Sequence, residues 1–204
     1  MSAAPDDAAR HRVHLGIAEA GKVHALARRH AEALRHYREA LRLAVAAQAP
    51  EVFFRHYTQC VLESLELLES YDEVIRFCEE ADAHYARAGQ ALALHRADHA
   101  AILERLGIVR LKAGDRDGAA ASLRRAVALA GPGRLPLAED ALGWLGRRLS
   151  PSASHIAEAQ RRRRYFTVRA GQVNAAAATP LPPAGAAGPF AMPIPGKEMR
   201  DVGL

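Results

Sequence analysis

Ten histidines, two cysteines and 23 carboxylates are the side chains of this 204-residue chain able to bind metal or move protons. On a helix, His95-x-x-x-His99 would place two imidazoles on one face, whereas the neighbouring Asp98 points about 100° away. A structural zinc site takes four ligands, and the sequence supplies no others beside this pair, so two surface histidines and no metal are expected. Cys60 and Cys78 are too few for a disulfide framework or a cysteine zinc site; they read as buried packing thiols. Nucleophile elbow, P-loop, dinucleotide fingerprint and HExxH are all missing. The expectation is therefore no catalytic residue, no cofactor and no enzyme.

The elements that would carry these residues are helices. Half of the chain is apolar and a quarter charged, and after the early Pro5, Pro50, Pro132, Pro136 and Pro151 six further prolines fall between 180 and 195. Ala, Leu, Arg and Glu fill the nearly breaker-free interval between 10 and 170, with no alternating β-branched run, which predicts an all-α fold. No run of 18 apolar residues predicts a membrane span, and the first fourteen residues lack the apolar core of a secretory signal. A cytoplasmic location without membrane association is expected. Lys+Arg exceed Asp+Glu by 28 to 23. Because 25 of those 28 are Arg, the excess reads as a coding bias rather than nucleic-acid binding.

Self-comparison exposes a repeated frame. Leu103-x-x-Leu106-Gly107 is followed by Ala119-x-x-x-Leu123-x-x-Ala126, with a turn at Lys112 to Gly118. The same frame recurs as Ile17-x-x-Ala20-Gly21-x-x-His24 with Ala33-x-x-x-Tyr37-x-x-Ala40. It is weaker in Thr58-x-x-Val61-Leu62-x-x-Leu65 with Val74-x-x-x-Cys78-x-x-Ala81. A half-match is Leu142-x-x-Leu145-Gly146-x-x-Leu149. This order of small and large residues resembles the tetratricopeptide repeat family, in which small residues sit where two antiparallel helices cross. The frame positions Gly21, Leu62, Gly107 and Gly146 lie 41, 45 and 39 residues apart, beyond the basic repeat of about 34, as in the long-repeat variety. The resemblance implies an α-solenoid of three hairpins plus a degenerate capping hairpin over residues 11–170, behind a flexible leader 1–10. Residues 171–204 hold eight Ala, six Pro and five Gly, a composition that predicts a disordered tail.

The family's concave groove, carried over position by position, implies Ala18, Glu19, Lys22 and Ala25 in the first hairpin and His56, Gln59, Cys60, Glu63 and Glu66 in the second. Glu104, Arg105, Ile108 and Lys112 follow in the third, and Gly143, Trp144 and Arg147 in the fourth. Only Arg105 agrees with the relatives that clamp a C-terminal carboxylate, since Ala18, Lys22 and Ala101 replace the residues such a clamp needs. Residues 51–90 carry nine acids against three bases, a balance of −6 that leaves +11 for the remainder. Such segregation orients a partner. Trp144 beside Arg147 would anchor a peptide if exposed.

Two features lie outside the frame. Arg161, Arg162, Arg163 and Arg164, followed by Tyr165 and Phe166, read as the solvated face of a terminal helix, with an acidic protein as the second choice and nucleic acid the last. Phe190, Met192 and Ile194 form an apolar island in the tail, of the kind that docks as a linear motif in cis or in trans. Taken together, the residues point to a non-catalytic adaptor or chaperone-like scaffold that holds a peptide or helix of a partner protein, with Lys22, His56, Gln59, Glu63, Glu66, Arg105, Lys112, Trp144 and Arg147 lining the groove. The alternative is an effector-sensing regulatory module that acts with a DNA-binding or signalling partner.

Overall fold

A computed structural model describes residues 5–88 and 93–181, with side chains from residue 12 onward. Among these residues there is no strand. The elements are α1 (Pro5–Leu26), α2 (His30–Ala46), α3 (Glu51–Leu67), α4 (Tyr71–Ala88), α5 (Ala93–Lys112), α6 (Arg116–Ala130), α7 (Pro136–Gly146) and α8 (Ala153–Arg162). Two short 3-10 turns follow, Ala170–Gln172 and Ala175–Ala177. The fold class is all-α, as the composition predicts.

The chain divides into two compact units. One comprises Met1–Glu69 with Thr167–Leu204, and the other Ser70–Phe166. In the first unit α1 packs on α2, α2 on α3, and the second 3-10 turn against α1. In the other, α5 packs on both α4 and α6, and α7 on α6. Residues 5–10, read from sequence as a leader, are part of α1, and residues 171–181 of the expected tail have a defined course. Phe190, Met192 and Ile194 lie outside the described residues.

Burial periodicity explains why each helix sits where it does. In α2 the buried positions Ala33, Leu34, Tyr37, Ala40, Leu41 and Ala44 form one stripe, and Val74, Phe77, Cys78, Ala81 and Tyr85 do the same in α4. Spacing of three and four residues gives a helix one apolar face and leaves the other to solvent. By contrast α3 and α5 are buried on nearly every side: Val61, Leu62 and Leu65 in one, Leu103, Leu106, Ile108 and Val109 in the other.

The repeated frame acquires a physical meaning at two glycines. A Cβ on Gly21 would lie 2.6 Å from Tyr37 Cε1, and one on Gly107 would lie 2.4 Å from Leu123 Cγ. In both hairpins the glycine admits the large residue sixteen positions later, so the helices cross with that side chain between them. Tyr37 and Leu123 are fully buried there, among Ala33 and Ala40 in one case and Ala119 and Ala126 in the other. The third glycine does not repeat this, for a Cβ at Gly146 meets no atom within 4 Å.

Helix ends follow a common pattern. Arg28, Gln48, Glu69, Arg148 and Arg164 all have φ between 48° and 60°. Their amides, and at all but Glu69 the next ones too, reach back to carbonyls of the last turn, as in Arg28 N to Ala25 O and Arg29 N to His24 O, both 2.9 Å. This closure satisfies carbonyls that the helix leaves over. Glycine normally serves in it, and at the α5 end it does, as Gly114. Asp115 then caps α6 by accepting from Gly118 N at 2.9 Å, and Ser152 caps α8 by accepting from His155 N.

Candidate functional site

Five of the expected groove positions, all on α1 and α3, gather on one face of the first unit. Glu19 and Lys22 pair at 2.7 Å, His56 lies close enough to feel both charges, and Glu63 and Glu19 surround the buried Tyr37 hydroxyl together with the Cys60 thiol. Burial first, then Cys60 and the two carboxylates, push that hydroxyl well above the ordinary tyrosine range. His56 is held down at about 4, mainly by burial and then by Lys22. Its Nε2 stands 3.8 Å from Cys60 Sγ. At neutral pH this is a neutral imidazole beside a fully buried thiol, an arrangement suited to packing rather than to nucleophilic attack. Below it, the fully buried His14 shares a 2.8 Å hydrogen bond between Nδ1 and the Tyr57 hydroxyl.

Across this face runs the chain itself. Glu63 is only 4% exposed, and its Oε2 accepts from two consecutive amides, Thr167 N at 2.6 Å and Val168 N at 3.1 Å. Further along, Glu19 Oε2 accepts from Asn174 N at 2.7 Å, and Thr179 N donates to Gly16 O at 2.9 Å. Gly16 permits that last approach, since a Cβ there would lie 2.2 Å from Thr179 Oγ1. The segment has extended backbone at Arg169, Val173 and Ala178 between its two short turns. Carboxylates that accept main-chain N–H groups form charge-assisted bonds, roughly twice as strong as neutral ones. They hold a peptide by its backbone and leave its side chains unread.

The remaining expected positions behave differently. Glu66 is buried. In the other unit Arg105 is buried at 3% exposure, its guanidinium 4.9 Å above the centre of the Tyr165 ring. Trp144 is buried in a cluster with Leu137, Ala141, Ile156 and Ala159, its ring edge-on to His155 at 4.8 Å. Neither presents a surface to a ligand. Lys112 is half-buried and Arg147 exposed. Glu104 caps the start of α7, accepting from Ala138 N at 3.1 Å, and burial raises its carboxyl above the usual range despite that bond.

The basic run on α8 is largely matched within its own unit. Arg161 pairs with Glu158, while Arg163 makes two bonds to Asp140 at 2.9 and 3.0 Å and Arg162 approaches the same carboxylate at 3.8 Å. His99, expected at the surface, is buried: its Nε2 lies 2.6 Å from Asp82 Oδ1, and its ring stacks on Tyr85 at 5.0 Å. Arg125 holds the same Asp82 through two 2.7 Å bonds. Cys60 and Cys78 are both buried and unbridged.

Comparison of the chain with family models, curated proteins and solved structures gives no match. The site is therefore read from its own geometry. The part of it that spacing did not foretell is the occupant, because Thr167 to Thr179 carries no pattern beyond small residues and the donors are amides that every sequence possesses. The one usable signal was Gly16, a helix-interior glycine outside the repeated frame.

Proposed function

We propose that the chain is a non-catalytic protein-binding module of the tetratricopeptide kind, whose α1–α3 unit holds an extended peptide by its main chain. The observation that carries this reading is the buried Glu63 carboxylate accepting from two successive amides of the chain's own residues Thr167 and Val168. A buried carboxylate requires hydrogen-bond donors, and at Glu63 two of them are consecutive main-chain amides. Glu19 and the Gly16 carbonyl repeat the requirement further along. The 41- and 45-residue spacing of the frame and the matched crossings at Gly21 and Gly107 support the family resemblance.

In this reading the segment after Phe166 is a ligand held in cis, and a partner's segment takes its place. Tethering gives the cis segment an effective concentration on the order of millimolar, so an incoming peptide must exceed that competition or the tail must be drawn off first. Glu63 and Glu19 supply strength, with Lys22 paired to Glu19 beside them.

The test uses the full chain with Thr167→Pro and Val168→Pro, which removes the two amide donors that this segment gives Glu63 and leaves the residues of the groove unchanged. A labelled peptide of residues 167–181 should bind this variant about ten-fold or more tighter than it binds the parent, because the cis competitor is gone. The same peptide carrying the two prolines should not bind. Equal, weak binding to both proteins would refute the groove.

A further inference from the structure

The structure assigns a second interaction surface to the other unit: the open cleft between α6 and α7 receives an acidic, leucine-bearing segment of a partner protein. The cleft measures about 500 Å³ and is bordered by Arg116, Asp117 and Arg124 of α6, Leu142 and Leu145 of α7, and Arg148 from the turn that ends α7. Three guanidinium groups thus face one carboxylate.

Several arginines elsewhere in this unit are engaged by carboxylates. Arg125, next to Arg124, is clamped on Asp82, Arg110 on Glu79, Arg161 on Glu158 and Arg163 on Asp140. Among the described residues neither Arg124 nor Arg148 meets a carboxylate. Arg116 is held in place by neutral acceptors, the Leu149 carbonyl at 2.8 Å and the Ser150 hydroxyl at 3.1 Å, which fix its position and leave its charge uncompensated. Arg148 sits at φ 57°, locked by the bonds of Arg148 N to Leu145 O and Leu149 N to Trp144 O. Like charges gathered at one cleft repel, and an anionic ligand relieves that repulsion.

The floor between them selects the class of anion. Leu142 and Leu145 stand one turn apart and are only half-buried, and Gly146 after them leaves space that a side chain would fill. An inorganic anion would leave both leucines in water, and a phosphodiester backbone would do the same. A segment with leucine-sized groups one helical turn apart, flanked by Glu or Asp, covers the floor and meets the arginines together. Neither the groove at Glu63 nor its occupant enters this argument.

The probe is a fluorescein-labelled octapeptide, Leu-Glu-Glu-Leu-Leu-Glu-Glu-Leu, titrated into the full chain at low ionic strength and followed by anisotropy. Saturable binding is expected, weakened about ten-fold or more by Arg124→Ala with Arg148→Ala, and equally by Gly146→Glu. The last places a carboxylate where a Cβ has open space, so the fold is kept, as an unchanged circular-dichroism melt would verify. Glu63→Gln should leave the affinity unaltered. The assignment is overturned if both cleft variants bind like the parent or if a peptide with every Leu replaced by Ala binds as well. Competition by inorganic phosphate or phosphatidylserine vesicles at similar concentration would also overturn it. So would self-association of the unliganded chain in sedimentation that Gly146→Glu abolishes, since the occupant would then be a second copy.

Discussion

The His56 imidazole is held at about 4, below its ordinary 6.5, chiefly by burial, with Lys22 adding to the effect and Glu19 opposing it. A group whose folded value is depressed leaves the unfolded chain to take up the proton first as the pH falls. The stabilisation tied to neutral His56 is therefore complete above about pH 6.5, and it is lost as the pH drops towards 4. Integrated over that window the loss amounts to roughly 2 to 3 kcal/mol. His56→Gln, which keeps a neutral polar side chain, should flatten the dependence of melting temperature on pH between 6.5 and 4. A variant with the parent's slope would show that His56 is not the group responsible. At this scale the sequence was informative about residue type and blind to depth. The frame brought Glu63, Lys22 and His56 to one face, yet it also nominated Arg105 and Trp144. Both of these side chains are buried beneath residues from later in the chain, Tyr165 and Ile156, and periodicity within one helix carries no information about what a distant segment will cover.

Helix crossings were the most legible feature, because a glycine and a large apolar residue at fixed separation have one steric reason to occur together. Gly107 and Leu123 provide the test. Gly107→Ala alone forces its Cβ to within 2.4 Å of Leu123 Cγ and should cost about 1 to 3 kcal/mol by overpacking. Leu123→Ala alone, at a site with no exposure, should cost about 2 to 5 kcal/mol through the cavity it leaves. Together the two should cost less than their sum by about 0.5 to 3 kcal/mol, since the new methyl occupies part of the vacated space. Urea unfolding followed by Trp144 fluorescence reads this directly, as the single tryptophan lies in the same unit. Additive losses would mean that the crossing does not bring these two residues together. The fourth half-match fails for a reason visible in the same terms: Gly146 stands at the exposed end of α7, where no large residue needs its space. The position borders the arginine cleft instead.

At the scale of the whole molecule, one compact unit is made from the two ends of the chain, up to Glu69 and from Thr167 onward. Composition marked residues 171–204 of this stretch as unable to fold, and for a segment taken alone the argument is sound. Ordering Thr167 to Thr179 costs backbone entropy at each of thirteen residues. Against that cost the segment has four main-chain bonds to α1 and α3, three of them to charged acceptors. With so little in hand, the segment should open on its own far more often than the unit unfolds. Native-state hydrogen exchange distinguishes the two roles open to it. As a displaceable cis ligand, the Thr167, Val168, Asn174 and Thr179 amides should exchange through a local opening, insensitive to low denaturant and several kcal/mol cheaper than the opening of α1–α3 amides. Glu63→Gln should accelerate Thr167 and Val168 about ten-fold or more while leaving the helix amides unchanged. If the four anchors instead exchanged only with the global transition, at the free energy of Tyr37 or Leu62, the segment would be a permanent structural layer and the groove would have no vacancy to offer a partner.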